Sequence, residues 1–377
     1  MRIFVLLNLR KCALSLRQIL VSISEIQSMG KNKSLIILLT ALSLALGACK
    51  NNRLDVDVSA IDASPVIYRF EEDIFGTSKA SWTAKMNELR MRDSQFYDVF
   101  AYEFTYRNHY HDFQWGVYND ADSIYNFTQN ELIHKLYEET HRMYGNLDRF
   151  KGELTQSLKY FKHHFPQKKI PVFNTMITEI STRVAPFEHC IGIGLDFFMG
   201  NDHGAYLLMS KEGKLTSYQL KRMTSDYLNL AAVQGLFEYH FNNTPADRTF
   251  LAKLIEEGKK QYFIDAMMPN AEDSIKLEYT KTQLDWANNN QLQMWNHFTD
   301  HKLFFSSDLM LYERFFEDGP FTSAPDVPHD SPPRLGVYAG WQIVKHYMDE
   351  HPEITLPQLL ADKDYQKILK ESGYKPR

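Results

Sequence analysis

The stretch Met29–Cys49 most constrains this chain, because it decides which residues are available to fold. Lys31 and Lys33 make a short positive start, and Leu35 to Ala48 follow as fourteen mostly apolar, uncharged residues. Then comes Leu46-Gly47-Ala48-Cys49. A basic start, a short apolar middle and small residues before a cut are the three parts of an export signal. The apolar run falls short of the roughly 20 residues a membrane-spanning helix needs. Residues 1–28 do not fit this signal, since Arg10, Lys11 and Arg17 interrupt their apolar residues. The expectation is that translation starts at Met29, that 29–48 is a signal peptide, and that folding begins beyond it.

Cys49, directly after a small pair, gives Leu-Gly-Ala-Cys the form of a bacterial lipobox. In that motif the cysteine is acylated and becomes the first residue of the mature protein. Acyl chains hold a domain at a bilayer by about 0.8 kcal/mol per buried CH₂. Membrane lipid, through Cys49, is therefore the first expected partner.

The remaining 329 of 377 residues suffice for one large domain. Removing 1–48 leaves 36 of the 42 basic and 46 of the 47 acidic residues, a net charge near −10. Such an acidic domain argues against nucleic acid as a partner. It argues equally against flat adsorption on anionic lipid. Cys190 would be the sole cysteine besides Cys49, so the domain can form no internal disulfide. Its place at the start of an apolar run reads as a core cysteine. The 25 Phe and 21 Tyr favour a folded, well-filled core.

Residues 49–64 are polar and without periodicity, and read as a tether. The rest, 65–377, reads as one domain. Pro65–Phe70, Ile170–Ile177 and Cys190–Phe198 read as strands, and Ala205–Met209 as a strand or a turn of helix. Helical spacing marks Thr77–Glu103, Asn130–Tyr144, Leu147–Phe165 and Leu220–Phe241. It also marks Asp247–Met268, with an N-cap-like Thr244-Pro245, then Tyr279–Phe298, Ser307–Phe316, Trp341–Glu350 and Leu356–Glu371. Five prolines between Gly319 and Pro333 mark a loop. The fold class expected is helix-rich α+β, one large domain with a small mixed sheet near 170–209.

Chemistry-bearing motifs are weak. His297 and His301 share a helix face, but Phe298 stands where a zinc peptidase needs its general-base Glu. His109, His111 and Asp112, and the pair His163-His164, lack partners at metal-site spacing. No metal ligands, cofactor or catalytic residues are expected. Gly192-Ile-Gly194 is not a phosphate cradle, because Asp196 and two Phe follow where a third Gly and a helix should stand. Gly192, Gly194 and Asp196 read instead as edge-strand or groove residues, where another backbone comes close. Glu71-Glu72-Asp73 and Glu256-Glu257 read as solvated carboxylates.

Several segments in order resemble the gliding-motility lipoproteins B (GldB) of Bacteroidota. They are the lipobox at Cys49, Val66–Phe75, Ile193–Gly200 with Asn201–Tyr206, Lys221-Arg-Met223, Leu254–Tyr262, Pro333–Val344 and the ending Ser372–Pro376. The resemblance implies a non-enzymatic envelope lipoprotein needed for gliding, with protein partners in the gliding or linked secretion machinery. Only Cys49 carries over as a site. The same residues resemble, more distantly, a zinc-peptidase scaffold without its metal ligands. There Cys190–Phe198 would be the strand, Tyr227–His240 the helix lacking a His pair, and Glu257-Gly258 the later Glu. A peptidase-like groove without metal could hold an extended segment by strand addition. Two other classes stay open: a membrane-anchored, metallopeptidase-like hydrolase and a periplasmic ligand-binding lipoprotein. Lys50-Asn-Asn-Arg53 lacks an acidic run, which leans to the periplasmic face.

Overall fold

Strand Cys190–Gly194 divides the protein into two cores. All five of its residues are buried, so both faces of the sheet around it are covered. Side chains alternate across a strand. Ile191 and Ile193 join one apolar cluster, and Cys190 joins the other. On the neighbouring strand Phe173 goes to the first side, and Val172 and Met176 go to the second.

A computed structural model describes residues 52–107, 119–241, 246–322, 324, 327–328 and 330–377. Cys49, His109, His111, Asp112, Thr244 and Pro245 lie outside them, so the readings placed on those residues do too. In chain order the elements are β1 (Ile67–Arg69), α1 (Phe70–Phe75), α2 (Trp82–Arg92) and α3 (Ser94–Val99), which runs into a π-helical turn at Phe100–Arg107. Then come α4 (Asp120–Gln129), α5 (Glu131–Tyr144), α6 (Asp148–His164), β2 (Val172–Met176), β3 (Val184–Pro186) and β4 (Cys190–Gly194). α7 (Gly204–Lys211), α8 (Ser217–Leu220), α9 (Leu228–Phe241), α10 (Phe250–Met267) and α11 (Asp273–Leu277) come next. The chain ends with α12 (Lys281–Asn289), α13 (Gln291–Asp300), α14 (Met310–Phe316), α15 (Leu335–Glu350), α16 (Leu356–Ala361) and α17 (Tyr365–Glu371).

The sheet order is β1-β2-β4-β3, with the first three parallel and β3 antiparallel at one edge. This is the helix-rich α+β fold with a small mixed sheet that the sequence led us to expect. One side is covered by α6, α9 and α10, with Leu154, Leu158, Phe161 and Phe263 among the contacts. The other is covered by the N-terminal helices through Phe70, Phe96, Phe100 and Phe127. Phe70 meets Phe96 and Phe100 edge-on, with ring centres 5.0 and 4.8 Å apart.

Several expectations shift in detail. Of the two readings open for Ala205–Met209, the helix holds: it spans residues 204–211, with His203 accepting from the Ala205 N–H. The single helix expected over Thr77–Glu103 breaks at Asp93, whose side chain caps α3 by accepting from Phe96 N–H. α10 starts at Phe250, because Thr249 is its cap and accepts from Ala252 N–H. β4 is not the edge strand anticipated for Gly192 and Gly194: it lies between β2 and β3. Residues 54–64, read as tether, are packed: Val58 and Ala63 are buried in the same cluster as the sheet.

The second axis of the fold is the pair α10 and α15. α10 is buried on nearly all sides, as expected of a helix at the centre of a large domain. The two helices meet at glycines. A Cβ on Gly340 would stand 1.9 Å from Leu254 O, and one on Gly258 would stand 2.2 Å from Gly340 O. Both obstacles are backbone, so neither can rotate away. Gly340→Ala should therefore separate the helices and cost about 2 kcal/mol or more, measured as a lowered urea midpoint. An unchanged midpoint would mean that the crossing is looser than its geometry.

Candidate functional site

One cluster of buried charge lies where β3 meets α9. Gly235 makes this approach possible: a Cβ there would lie 2.7 Å from Val184 Cγ2 and 2.8 Å from Ile191 Cγ2. With α9 drawn in so closely, Gln234 and Glu238, one turn apart, reach toward the sheet edge and toward α10. Arg183, just before β3, bonds Gln234 Oε1 with one guanidinium nitrogen and Glu278 Oε1 with another. Glu238 pairs with Lys260 at 2.9 Å.

Glu278 is the centre of this arrangement. Arg334 Nη1 donates to its Oε2 at 3.2 Å, and Arg222 Nη1 stands 4.0 Å from the same oxygen. Arg222 also pairs with Asp318, and Arg334 Nη2 donates to Leu277 O at 2.5 Å. Burial alone would raise the Glu278 carboxyl, but the charges of Arg183, Arg334 and Arg222 outweigh it and hold the group well below the usual carboxylate range. Glu278 and Arg334 both sit in the left-handed backbone region, at φ 57° and 55°. Non-glycine residues rarely stay there unless their surroundings over-determine them. A cavity of about 30 Å³ adjoins the cluster, room for about one water.

Asp196 sets this region from beneath. It is fully buried, and its carboxylate accepts from Thr178 N–H, Ile180 N–H at 2.7 Å and Thr178 Oγ1. Those donors belong to the turn 177–183, where Glu179 and Ile180 have φ of 55° and 63°. The turn delivers Arg183. Gly194 lets it come close, since a Cβ would lie 2.1 Å from Thr182 O. A Cβ on Gly192 would meet the Phe187 ring and Met176. Gly194 and Asp196 thus meet at one turn, where a backbone comes close inside the sheet, whereas Gly192 meets side chains instead. Burial dominates at Asp196 and pushes its carboxyl up to about 7 against the donors that favour its charge.

Other candidates resolve as structural groups. Cys190 is buried, which pushes its thiol up and makes a poor nucleophile. Burial, with Lys168 nearby, lowers His240 to about 4. His240 stacks on Phe161 and meets Lys169 O at 3.0 Å through Nε2. The rings of His297 and His301 are 4.5 Å apart. Among the described residues no group of three His, Cys, Asp or Glu could hold a metal. Glu257 pairs with Lys253 at 2.6 Å and Glu256 with Lys259 at 2.9 Å. Glu71 is not solvated but buried, against Arg69 and Thr175.

Sequence reading missed Arg183, Gln234 and Glu278 as a unit, because they lie far apart in the chain. Two segments noted for family resemblance do converge here: Lys221-Arg-Met223 supplies Arg222, and Pro333–Val344 supplies Arg334.

Glu278→Ala leaves three guanidiniums around an empty position and should cost about 3–5 kcal/mol, read by denaturant unfolding. A carboxyl that keeps its proton to higher pH when folded, as Asp196 does, contributes stability that is full below its ordinary value of 3.8 and lost as pH rises through about 7. The stability difference between wild type and Asp196→Asn should therefore shrink from pH 5 to pH 8. A difference that grows with pH would mean that the donors, and not burial, govern the group.

No curated protein and no solved structure matches this chain. The family model described as gliding motility protein GldB matches residues 51–376, nearly the whole chain beyond Cys49. The chain belongs to the GldB family.

Proposed function

We propose that this protein is a lipid-anchored, non-catalytic component of the cell envelope, serving gliding motility or the secretion machinery tied to it. Family membership supports the motility assignment. The lipobox at Cys49 supports the anchor, and the matched region begins two residues after it. Among the described residues no helix is long and apolar enough to cross a membrane, so acyl chains on Cys49 would supply the attachment. The packed unit starts at Leu54. An acylated Cys49 would then hold it close to the bilayer, with its acidic surface kept from anionic headgroups by charge. The face of the membrane assigned is the periplasmic one, and the partners are proteins of the motility apparatus, not nucleic acid.

The observation that carries the non-catalytic part is the saturation of Glu278. A general base needs a free lone pair and a pKa near the working pH. Glu278 has three guanidiniums around it and a pKa far below neutrality. Gln234 and Glu238 beside it are held by Arg183 and Lys260. Such a buried network fixes the elements around it in one arrangement and suits a structural role better than turnover.

Cys49→Ala should move the protein from the membrane to the soluble fraction, and a deletion strain should lose spreading and adhesin export. Normal spreading and export in that strain would remove the motility reading. Zinc bound one-to-one, together with proteolysis abolished by Glu257→Ala, would replace it with the hydrolase.

A further inference from the structure

A second concavity lies away from the Glu278 cluster. It is a cleft of about 510 Å³ between α6, the start of α9 and the turn after α10. That volume is within the range of small-molecule sites. Ser157 and Asn229 line it, both more than nine-tenths buried. Asn229 Nδ2 donates to Ser157 Oγ at 3.1 Å, while Asn229 Oδ1 is shielded from water and has no hydrogen-bond partner. A buried carbonyl oxygen without a donor is an uncommon feature that calls for an explanation.

The charges around it point one way. Glu153, Asp226 and Glu272 line the cleft against one guanidinium. That guanidinium, Arg149, is already committed to Glu153 at 2.9 Å and Asp226 at 2.7 Å. Asp55 joins the rim, accepting from Tyr160 Oη at 2.8 Å and Asn270 Nδ2 at 3.1 Å. Met267 and Met268 give an adaptable apolar wall.

We propose that this cleft binds a primary ammonium group carried on a short alkyl stem. An ammonium has three donors and no acceptor. One donor would satisfy Asn229 Oδ1 once a rotation of the side chain opens it to the cleft, the surplus carboxylates would hold the charge, and the stem would lie on the methionines. Anionic ligands would be repelled. The ammonium belongs either to a soluble amine or to the headgroup of an amine-bearing lipid. Asp55 is six residues beyond Cys49 in the sequence, which makes the second source accessible if Cys49 is acylated. The site itself does not depend on that anchor.

Purified full-length protein in neutral detergent would be titrated by calorimetry with ethanolamine, glycerophosphoethanolamine and choline. Saturable binding of the first two is expected, with choline, which has no N–H, at least tenfold weaker. Asn229→Leu should weaken ethanolamine binding at least tenfold, while Asn229→Asp, which keeps the acceptor, should retain it. Glu272→Gln, an exposed change that spares the core, should weaken it severalfold. Competition by phosphatidylethanolamine but not phosphatidylcholine, each added as mixed micelles in the same detergent, would assign a lipid source, and absence of competition a soluble amine. No saturable binding of either amine, choline binding equal to ethanolamine, or ethanolamine binding unchanged in Glu272→Gln would each overturn the proposal.

Discussion

The carboxylate of Asp196 is the interaction on which the polar half of this protein rests. Two backbone N–H groups and one hydroxyl converge on it in a place that water does not reach. Without an acceptor there, Thr178 and Ile180 would leave buried donors unpaired, at about 1–3 kcal/mol each. With it, the chain can hold two consecutive left-handed residues and reverse from β2 into β3. That reversal has two effects. It gives the sheet its antiparallel edge, and it points Arg183 at α9 and Glu278. Tyr206 reinforces the same point from the other side, donating to Asp196 O while accepting from Met199 N–H.

The cluster that Arg183 joins looks costly in isolation. Burying ions is unfavourable unless their partners are complete. Here one carboxylate is shared by three guanidiniums, and the excess positive charge is met by Asp318 beside Arg222 and by backbone and amide oxygens at Leu277 and Gln234. Glu278 and its three guanidiniums alone draw on four separate parts of the chain: the turn before β3, the segment after α8, the end of α11 and the start of α15. No single helix pair could hold those parts in register. The two left-handed residues in it, Glu278 and Arg334, sit where helices end and begin, so the strain falls at junctions and not within elements.

The sheet and most long helices were legible because their signals are local. Apolar residues at helical spacing from Leu147 to Phe165 become α6, and the run at Cys190 becomes β4. A backbone comes close at Gly194 but not at Gly192, which meets side chains, and neither lies at a sheet edge. A strand buried on both faces by helices reads the same as an apolar strand elsewhere, and only the order β1-β2-β4-β3 puts β4 inside. Residues 54–64 misled because they have no periodicity, while Val58 and Ala63 bury themselves singly against elements distant in sequence. The Glu278 cluster was invisible for a different reason. Arg183, Arg222, Glu278 and Arg334 each look like ordinary surface charges, and their meaning arises only from convergence.

The packing of 54–64 alters what an anchor at Cys49 would do. A free tether of sixteen residues would let the domain wander over the membrane. With the segment from Leu54 onward bound to the body, the slack shrinks to the few residues between Cys49 and Leu54. Tyr160 and Asn270 grip Asp55 from two different elements, and Lys159 reaches Ser59 O at 3.5 Å. Any pull on the lipid would reach the core through these bonds before it reached β1. The same bonds tie the cleft beside Asp55 to the first packed residues of the chain.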